Sequence, residues 1–226
     1  VFSKNMSAKN FFSASGSALA FLFYLAPIPR LINCGRTKKV EEISHLALLF
    51  SNFTPFLWAV YSIAAEKSEI FYPNLVFFGM SLVYISGYHL IKGDTWEFMS
   101  LYVGTLMGLG LACLRVLPIN LVGSLSSLMN ILGCVSPLEM LGVVLKEKNG
   151  RYIDLNMLGA GLLCNGAWAA YGYLSEDVFI LVPNFLGILI GLLQIFLFAW
   201  TKDLVKDQFV VPFHVVNDFI SLRKAK

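Results

Sequence analysis

The chain has 226 residues, of which 57% are apolar and only 14% charged, with a mean hydropathy of +0.70. That balance excludes a soluble domain of this length and points to an integral membrane protein. The net charge is +3, and the basic residues sit in short connectors rather than in a stripe interleaved with aromatics, which argues against nucleic-acid binding.

Apolar runs between turn residues predict seven helices of the roughly 20 residues that a bilayer core requires. The first, over 11–32, is long for a signal h-region and runs on without a small-residue cleavage site, so it is expected to stay in the mature protein. It carries Pro27 near its end. After Asn33-Cys34-Gly35 comes the second, over 45–65, with Trp58 and Tyr61, and then the third, over 70–91, which opens on Pro73-Asn74. The fourth, over 96–117, follows Gly93-Asp94 and has a GxxxG spacing at Gly104 and Gly108 that ordinarily means close helix packing. Pro118 introduces the fifth, over 120–145, with Pro137 and Glu139; after Lys148-Asn149-Gly150 come the sixth, over 154–174, and the seventh, over 178–201. The tail, 202–226, has Phe209, Val210, Val211, Phe213, Val215 and Val216 beside Arg223, Lys224 and Lys226. It is too short in apolar residues to span and is read as lying at the membrane surface, with a partner-bound segment as the alternative.

One interval, that from position 74 to position 184, organises these spans. It separates Pro73-Asn74 from Pro183-Asn184, Pro27 from Pro137, Trp58 from Trp168, Ala59 from Ala169, and Tyr61 from Tyr171. The predicted architecture is all-α with a 3+1+3 plan: one three-helix bundle over 11–92, a linker helix over 95–118, and a second bundle over 119–201. Four crossings separate the starts of the bundles, so they run parallel about an axis along the membrane normal. Thirteen of the seventeen Lys and Arg residues fall on one side, which puts the N-terminus outside or in a lumen and the tail in the cytosol.

Pro27 and Pro137 each remove a helix hydrogen bond and are read as paired hinges, against the alternative that they only shape packing. Asn74 and Asn184, facing each other across the pseudo-twofold axis, offer donors and acceptors to a polyhydroxylated solute; the competing reading has each amide bonded to its own helix. Trp58 and Trp168 are read as cavity walls that pack on a sugar ring, against an interfacial aromatic belt. Tyr61 and Tyr171 sit nearer the outer ends, as gate or belt residues. Cys34, Cys113, Cys134 and Cys164 lack CxxC spacing and are read as buried free thiols.

No acidic residue lies at the predicted midplane, which favours downhill transport over proton-coupled pumping; Glu139 is the one relay candidate, with pairing to Arg30 or Arg151 as its more ordinary use. The three histidines have no HExxH or HxH spacing, and neither GxSxG nor an ATP-binding loop is present, so no enzyme, cofactor or metal site is expected.

The stretches LAPIPRLINCGRTKKVEEIS, LWAVYSIA, SPLEMLGVVLKEKNG and WAAYGYLSEDVFILVPNFLGILIGLLQ resemble the SWEET (MtN3/saliva) sugar facilitators, a family that illustrates parallel repeats. The resemblance runs from about Gly16 to Trp200. It implies a sugar pocket at Asn74, Asn184, Trp58 and Trp168 and an outer gate at Tyr61, Tyr171 and Asp177. Gate prolines implied for the second and sixth helices are missing; Ser44 and Asp154, related by the same interval, are read as N-caps in their place, and Pro55 as an asymmetric kink.

The expectation is therefore a multi-pass protein of the plasma membrane or of an endomembrane such as the vacuole. It moves a mono- or disaccharide by alternating access, with lipid around it and self-association left open. Two rivals stand beside it. One is a carrier of the same fold for an amino acid or carboxylate; the other is a non-transporting receptor or assembly factor.

Overall fold

A computed structural model describes residues 2–38, 45–133, 135–210 and 213. Among them every regular element is helical: α1 (Phe2–Leu25), α2 (Ile28–Thr37), α3 (His45–Ala64), α4 (Ser68–Lys92), α5 (Thr95–Arg115), α6 (Ile119–Leu132), α7 (Val135–Glu147), α8 (Leu155–Leu174) and α9 (Val178–Thr201). Short 3-10 turns lie at Gly150–Tyr152 and Asp207–Phe209. α1 with α2 makes the first crossing and α6 with α7 the fifth, so nine described helices form seven spans.

Both interruptions have the same cause. A proline cannot donate to the carbonyl four residues back. For Pro27 that carbonyl is Phe23 O, which instead accepts a tighter bond from Ala26 N at 3.2 Å; for Pro137 it is that of Gly133, the C-cap at which α6 stops. The expected single helices over 11–32 and 120–145 are each two pieces, and α1 reaches back to Phe2. Among the described residues, three helical stretches are individually long and apolar enough to cross a membrane, Ser68–Lys92, Glu97–Arg115 and Val178–Thr201. Others are diluted by polar and glycine residues turned toward the interior, as α8 is by Gly161, Asn165 and Gly172.

The third helix of each triplet lies between the other two: α4 packs on α1 and α3, and α9 packs on α6 and α8. The triplets meet through α1 with α8 and through α3 with α6, two contacts that the repeat makes equivalent. α5 packs on α3 and α4, at the edge of the first triplet. Polarity is inverted relative to a soluble protein. Asn52, Ser62, Ser81, His89, Ser126, Asp177 and Asn184 are buried, while Leu90, Leu101, Met107, Val116 and Leu163 are exposed on outer faces. An apolar outside that meets lipid tails accounts for this distribution.

The turns that follow α3 and α8 are the same turn written twice. Glu66 and Glu176 both have φ 54°, in the left-handed region. Lys67 N donates to Ser62 O and Asp177 N to Gly172 O, each at 2.9 Å, the long bond of a Schellman cap. Asp154 Oδ1 caps α8 by accepting from Asn156 N at 2.9 Å and Met157 N at 3.1 Å, whereas Ser44 lies outside the described residues. Pro55 is buried within α3, and the carbonyl it leaves free, Ser51 O, accepts from Tyr24 Oη at 3.2 Å. Phe179 O, left free by Pro183, likewise accepts from Ser127 Oγ at 2.6 Å. Each of these two proline-generated acceptors is thus satisfied by a hydroxyl from another helix.

The start of the tail departs from the expectation of a surface segment. Val210 is fully buried and packs, with Phe213, in the cluster built from Leu141, Val144, Leu197 and Trp200, while Asp207 accepts from Trp200 Nε1 at 2.7 Å. Burial against α7 and α9 is available to these residues without a membrane surface. Val211, Val215, Val216, Arg223, Lys224 and Lys226 lie outside the described residues, as do the side chains of Arg30, Pro137 and Glu139 and all of Cys134.

Candidate functional site

A cavity of about 160 Å³ lies at the centre of the bundle. Trp58 and Trp168, Asn74 and Asn184, Thr54 and Cys164, Ile70 and Ile180, and Ala20 and Asn130 all line it, and the members of each pair occupy equivalent positions of the two repeats. Residues from two repeats can surround one space in matched pairs only if the pseudo-twofold axis passes through that space. The chamber lies on the axis.

Local geometry repeats as well as position. Asn74 Nδ2 donates to Ile70 O at 2.8 Å, and Asn184 Nδ2 to Ile180 O at 2.7 Å. Each amide is thus bonded to its own helix and also faces the chamber: one N–H is tied to the helix, which fixes the rotamer, and the rest of the amide lines the cavity. The fixed bond orients the remaining donor and acceptor before any solute arrives. Trp58 packs edge-on against Tyr61 at 5.7 Å and 83°, and Trp168 against Tyr171 at 5.6 Å and 77°. Trp58 is buried in the main apolar cluster and Trp168 packs on it, so neither indole occupies a lipid-facing belt.

Toward the ends of α3 and α8, Tyr61 and Tyr171 are buried to 4% and 0% exposure. Tyr61 Oη donates to Asp177 Oδ2 at 2.8 Å and Tyr171 Oη to Glu69 Oε1 at 2.7 Å, each bond crossing between triplets. Asp177 also pairs with the Lys67 ammonium, and its other oxygen caps α9 by accepting from Phe179 N at 3.0 Å and Ile180 N at 3.3 Å. One carboxylate thus ties α9 to the ends of α3 and α4. Pro27 stands at the break between α1 and α2, and Pro137 in the first turn of α7, at the opposite end of the bundle.

Several residues of the site are not singled out by the sequence reading: Asn130, Asn165, Thr54, Tyr24 and Phe77 in the chamber wall, and, at the tyrosine end, Lys67 and Glu69. Lys67 carries a usable signal, because it holds the repeat position equivalent to Asp177 with the opposite charge. Asn130 and Asn165 carry none, since their partners in the other repeat are Ala20 and Pro55. Cys34 and Cys113 are buried free thiols, whereas Cys164 is half-buried and faces the chamber.

Two parallel helix triplets around an axial, amide- and indole-lined chamber define a membrane carrier of the repeat type. The chain belongs to the MtN3/saliva family, described as sugar efflux transporters for intercellular exchange, whose profile matches residues 10–95 and again 120–203. It is similar to the Sugar transporter SWEET1 of Dictyostelium discoideum, at 21% identity over 85% of this chain and 93% of that protein. The Bidirectional sugar transporter N3 of Medicago truncatula is 26% identical over 83% of this chain and 74% of its own length. Among solved structures, that of a eukaryotic SWEET transporter matches with a TM-score of 0.79 at 21% identity, covering 88% of this chain and 99% of the other.

Proposed function

We propose that the chain is a bidirectional uniporter of a mono- or disaccharide that works by alternating access and catalyses no reaction. The observation that carries this reading is the axial chamber, where Asn74 and Asn184 offer oriented amides beside the indoles of Trp58 and Trp168. Sugars present hydroxyls around their rim and C–H groups on their faces, and those two chemistries match these two wall types. Membership of a sugar-transporter family supports the substrate class.

In this reading the triplets over 11–92 and 119–201 rock against one another, the linker over 95–118 rides with the first, and 202–226 forms the cytosolic tail. The tyrosine end faces outside or a lumen, as the basic residues at the opposite end favour. Tyr61, Tyr171 and Asp177 form the outer gate, and Pro27 and Pro137 hinge the inner one. Transport is downhill, a reading supported by the absence of a carboxylate among the described residues that line the chamber.

Uptake of radiolabelled glucose into liposomes tests the proposal. Asn74→Ala and Asn184→Ala are each expected to abolish flux while the protein still inserts. Undiminished uptake by both variants removes the site assignment.

A further inference from the structure

The repeat symmetry that matches most of the chamber walls fails along one line, and the failure opens a second cavity. α8 and α9, with Phe23 of α1, bound about 290 Å³ between the chamber and the Asp154 end, lined among others by Asn165, Gly187, Gly191 and Gln194. The equivalent positions of the first triplet are Pro55, Phe77, Ser81 and Tyr84, and there the space is filled. Phe77 stacks on Tyr24 at 4.6 Å and 4°, Tyr84 Oη donates to Tyr24 O, and Ser81 Oγ accepts from Asn52 Nδ2 at 2.7 Å.

Gly187, Gly191 and Gln194 leave the second triplet without these groups. Gly187 stands in place of Phe77, and a Cβ there would come within 2.5 Å of Asn165 Nδ2, so the Asn165 amide rests on bare backbone. Asn165 also lines the central chamber, which makes it the residue common to both cavities. Gln194, in place of Tyr84, carries a second amide into the outlying space. A space of this size has room for water, and the two amides in its wall give hydrogen-bond partners that a solute could take over from it.

We propose that this cavity is a second, polyol-binding subsite formed mainly by α8 and α9, and that Asn165 is the specificity-determining residue that passes a solute hydroxyl between the chamber and Gln194. The proposal deepens the sugar-transport reading and rests on it. It makes the transport path asymmetric although the walls of the chamber are paired: the route toward the Asp154 end runs along α8 and α9, while the first triplet is a packed support.

The test uses the full chain in sealed vesicles. Gln194→Cys is expected to add labelling by a membrane-impermeant thiol reagent over the parent chain, from the Asp154 side only, and saturating glucose is expected to slow it several-fold. Asn165→Leu, and Gly187→Ala, which displaces the Asn165 amide, are each expected to raise the half-saturation concentration for sugar about fivefold, the loss of one net hydrogen bond. A Gln194→Cys chain that labels from neither side, or at a rate indifferent to a sugar that the wild type carries, overturns the subsite, as does an unchanged half-saturation in both of the other variants. If the wild type carries no sugar, the sugar assignment falls with the transport reading, while one-sided labelling of Gln194→Cys still identifies the cavity as a water-filled path.

Discussion

Lys67 and Asp177 stand at the same position of the two repeats, 110 residues apart, and their side chains are ion-paired to each other. Two residues related by a twofold axis can touch only where that axis passes between them. The pair therefore marks where the axis leaves the bundle, on the same line that runs between Asn74 and Asn184. In the proposed alternating-access cycle this end opens by separating the pair, whose strength would then set how firmly the end is shut. Hydrogen bonds to charged groups contribute about 1.5–3 kcal/mol. Lys67→Ala is expected to shift the population toward the open state by roughly tenfold or more, since about 1.4 kcal/mol is a factor of ten. Thiol labelling of a Tyr171→Cys chain, with and without Lys67→Ala, reads that shift; equal rates would show that the pair does not hold the end closed.

The charge-swapped chain, Lys67→Asp with Asp177→Lys, is more informative. It restores the ion pair but moves the helix cap, because Asp177 caps α9 whereas Lys67, the N-cap of α4, makes no side-chain cap bond. Capping contributes about 1 kcal/mol at either helix. Thermal stability is expected to return to within a few degrees of the wild type, while Asp177→Lys alone melts well below it.

Glu66 and Glu176 each hold φ 54° in exposed turns, a conformation that disfavours a Cβ. Glycine removes that cost, offset in part by greater freedom of the unfolded chain. Glu66→Gly and Glu176→Gly are each expected to stabilise the protein by about 0.5–1 kcal/mol with transport unchanged, checked by thermal melts in detergent. Loss of stability in both would mean that the carboxylates contribute more than the backbone strain removes.

The constant interval between the repeats makes much of this legible in the sequence. It marks both triplets, the linker and the pairs Asn74/Asn184 and Trp58/Trp168, because residues that serve one axial space tend to be kept in both copies. Where the copies have diverged the interval is silent. Asn165 is matched with Pro55 and Gly187 with Phe77 across the repeat, so the second cavity appears only once packing is known. The helix breaks are hard to place for a different reason: a proline disturbs the turn before it, so the interruption ahead of Pro137 falls at Gly133. The burial of Val210 depends on α7 and α9 meeting beneath it, which no local pattern in the tail encodes.

Glycines at two kinds of helix contact should behave differently. A Cβ at Gly123 would lie 2.7 Å from Phe179 Cδ2 inside the second triplet and 3.0 Å from Tyr61 Cε2 across the contact between triplets at the tyrosine end. One at Gly172 would lie 2.7 Å from the backbone N of Leu181, inside a single triplet. Overpacking costs about 1–3 kcal/mol. Gly172→Ala carries that cost in every state and is expected to lower the melting temperature. Gly123→Ala carries the Phe179 part of that cost in every state and the Tyr61 part only when the tyrosine end is closed, so it is expected to lower the melting temperature as well and, unlike Gly172→Ala, to speed labelling there. Labelling unchanged from the parent in Gly123→Ala would show that the triplets do not separate at α6.

Strong acid should loosen the connector between α4 and α5. Asp94 accepts from Lys92 Nζ at 2.6 Å and from His89 Nδ1 at 2.7 Å, and His89 Nε2 lies 3.0 Å from His45 Nε2. The Lys92 ammonium, with His89, holds the Asp94 carboxyl below its ordinary value of 3.8. A carboxyl with a depressed folded-state pKa stabilises the fold above its unfolded pKa, and the contribution disappears as pH falls through the lower folded value. The difference in melting temperature between wild type and Asp94→Asn should therefore be constant from about pH 7 to pH 5 and shrink below about pH 4. Thermal melts of both proteins across that range decide the matter. A gap that instead changed between about pH 7 and pH 6 would take the linkage away from Asp94, since a carboxyl with a lowered pKa takes up no proton there.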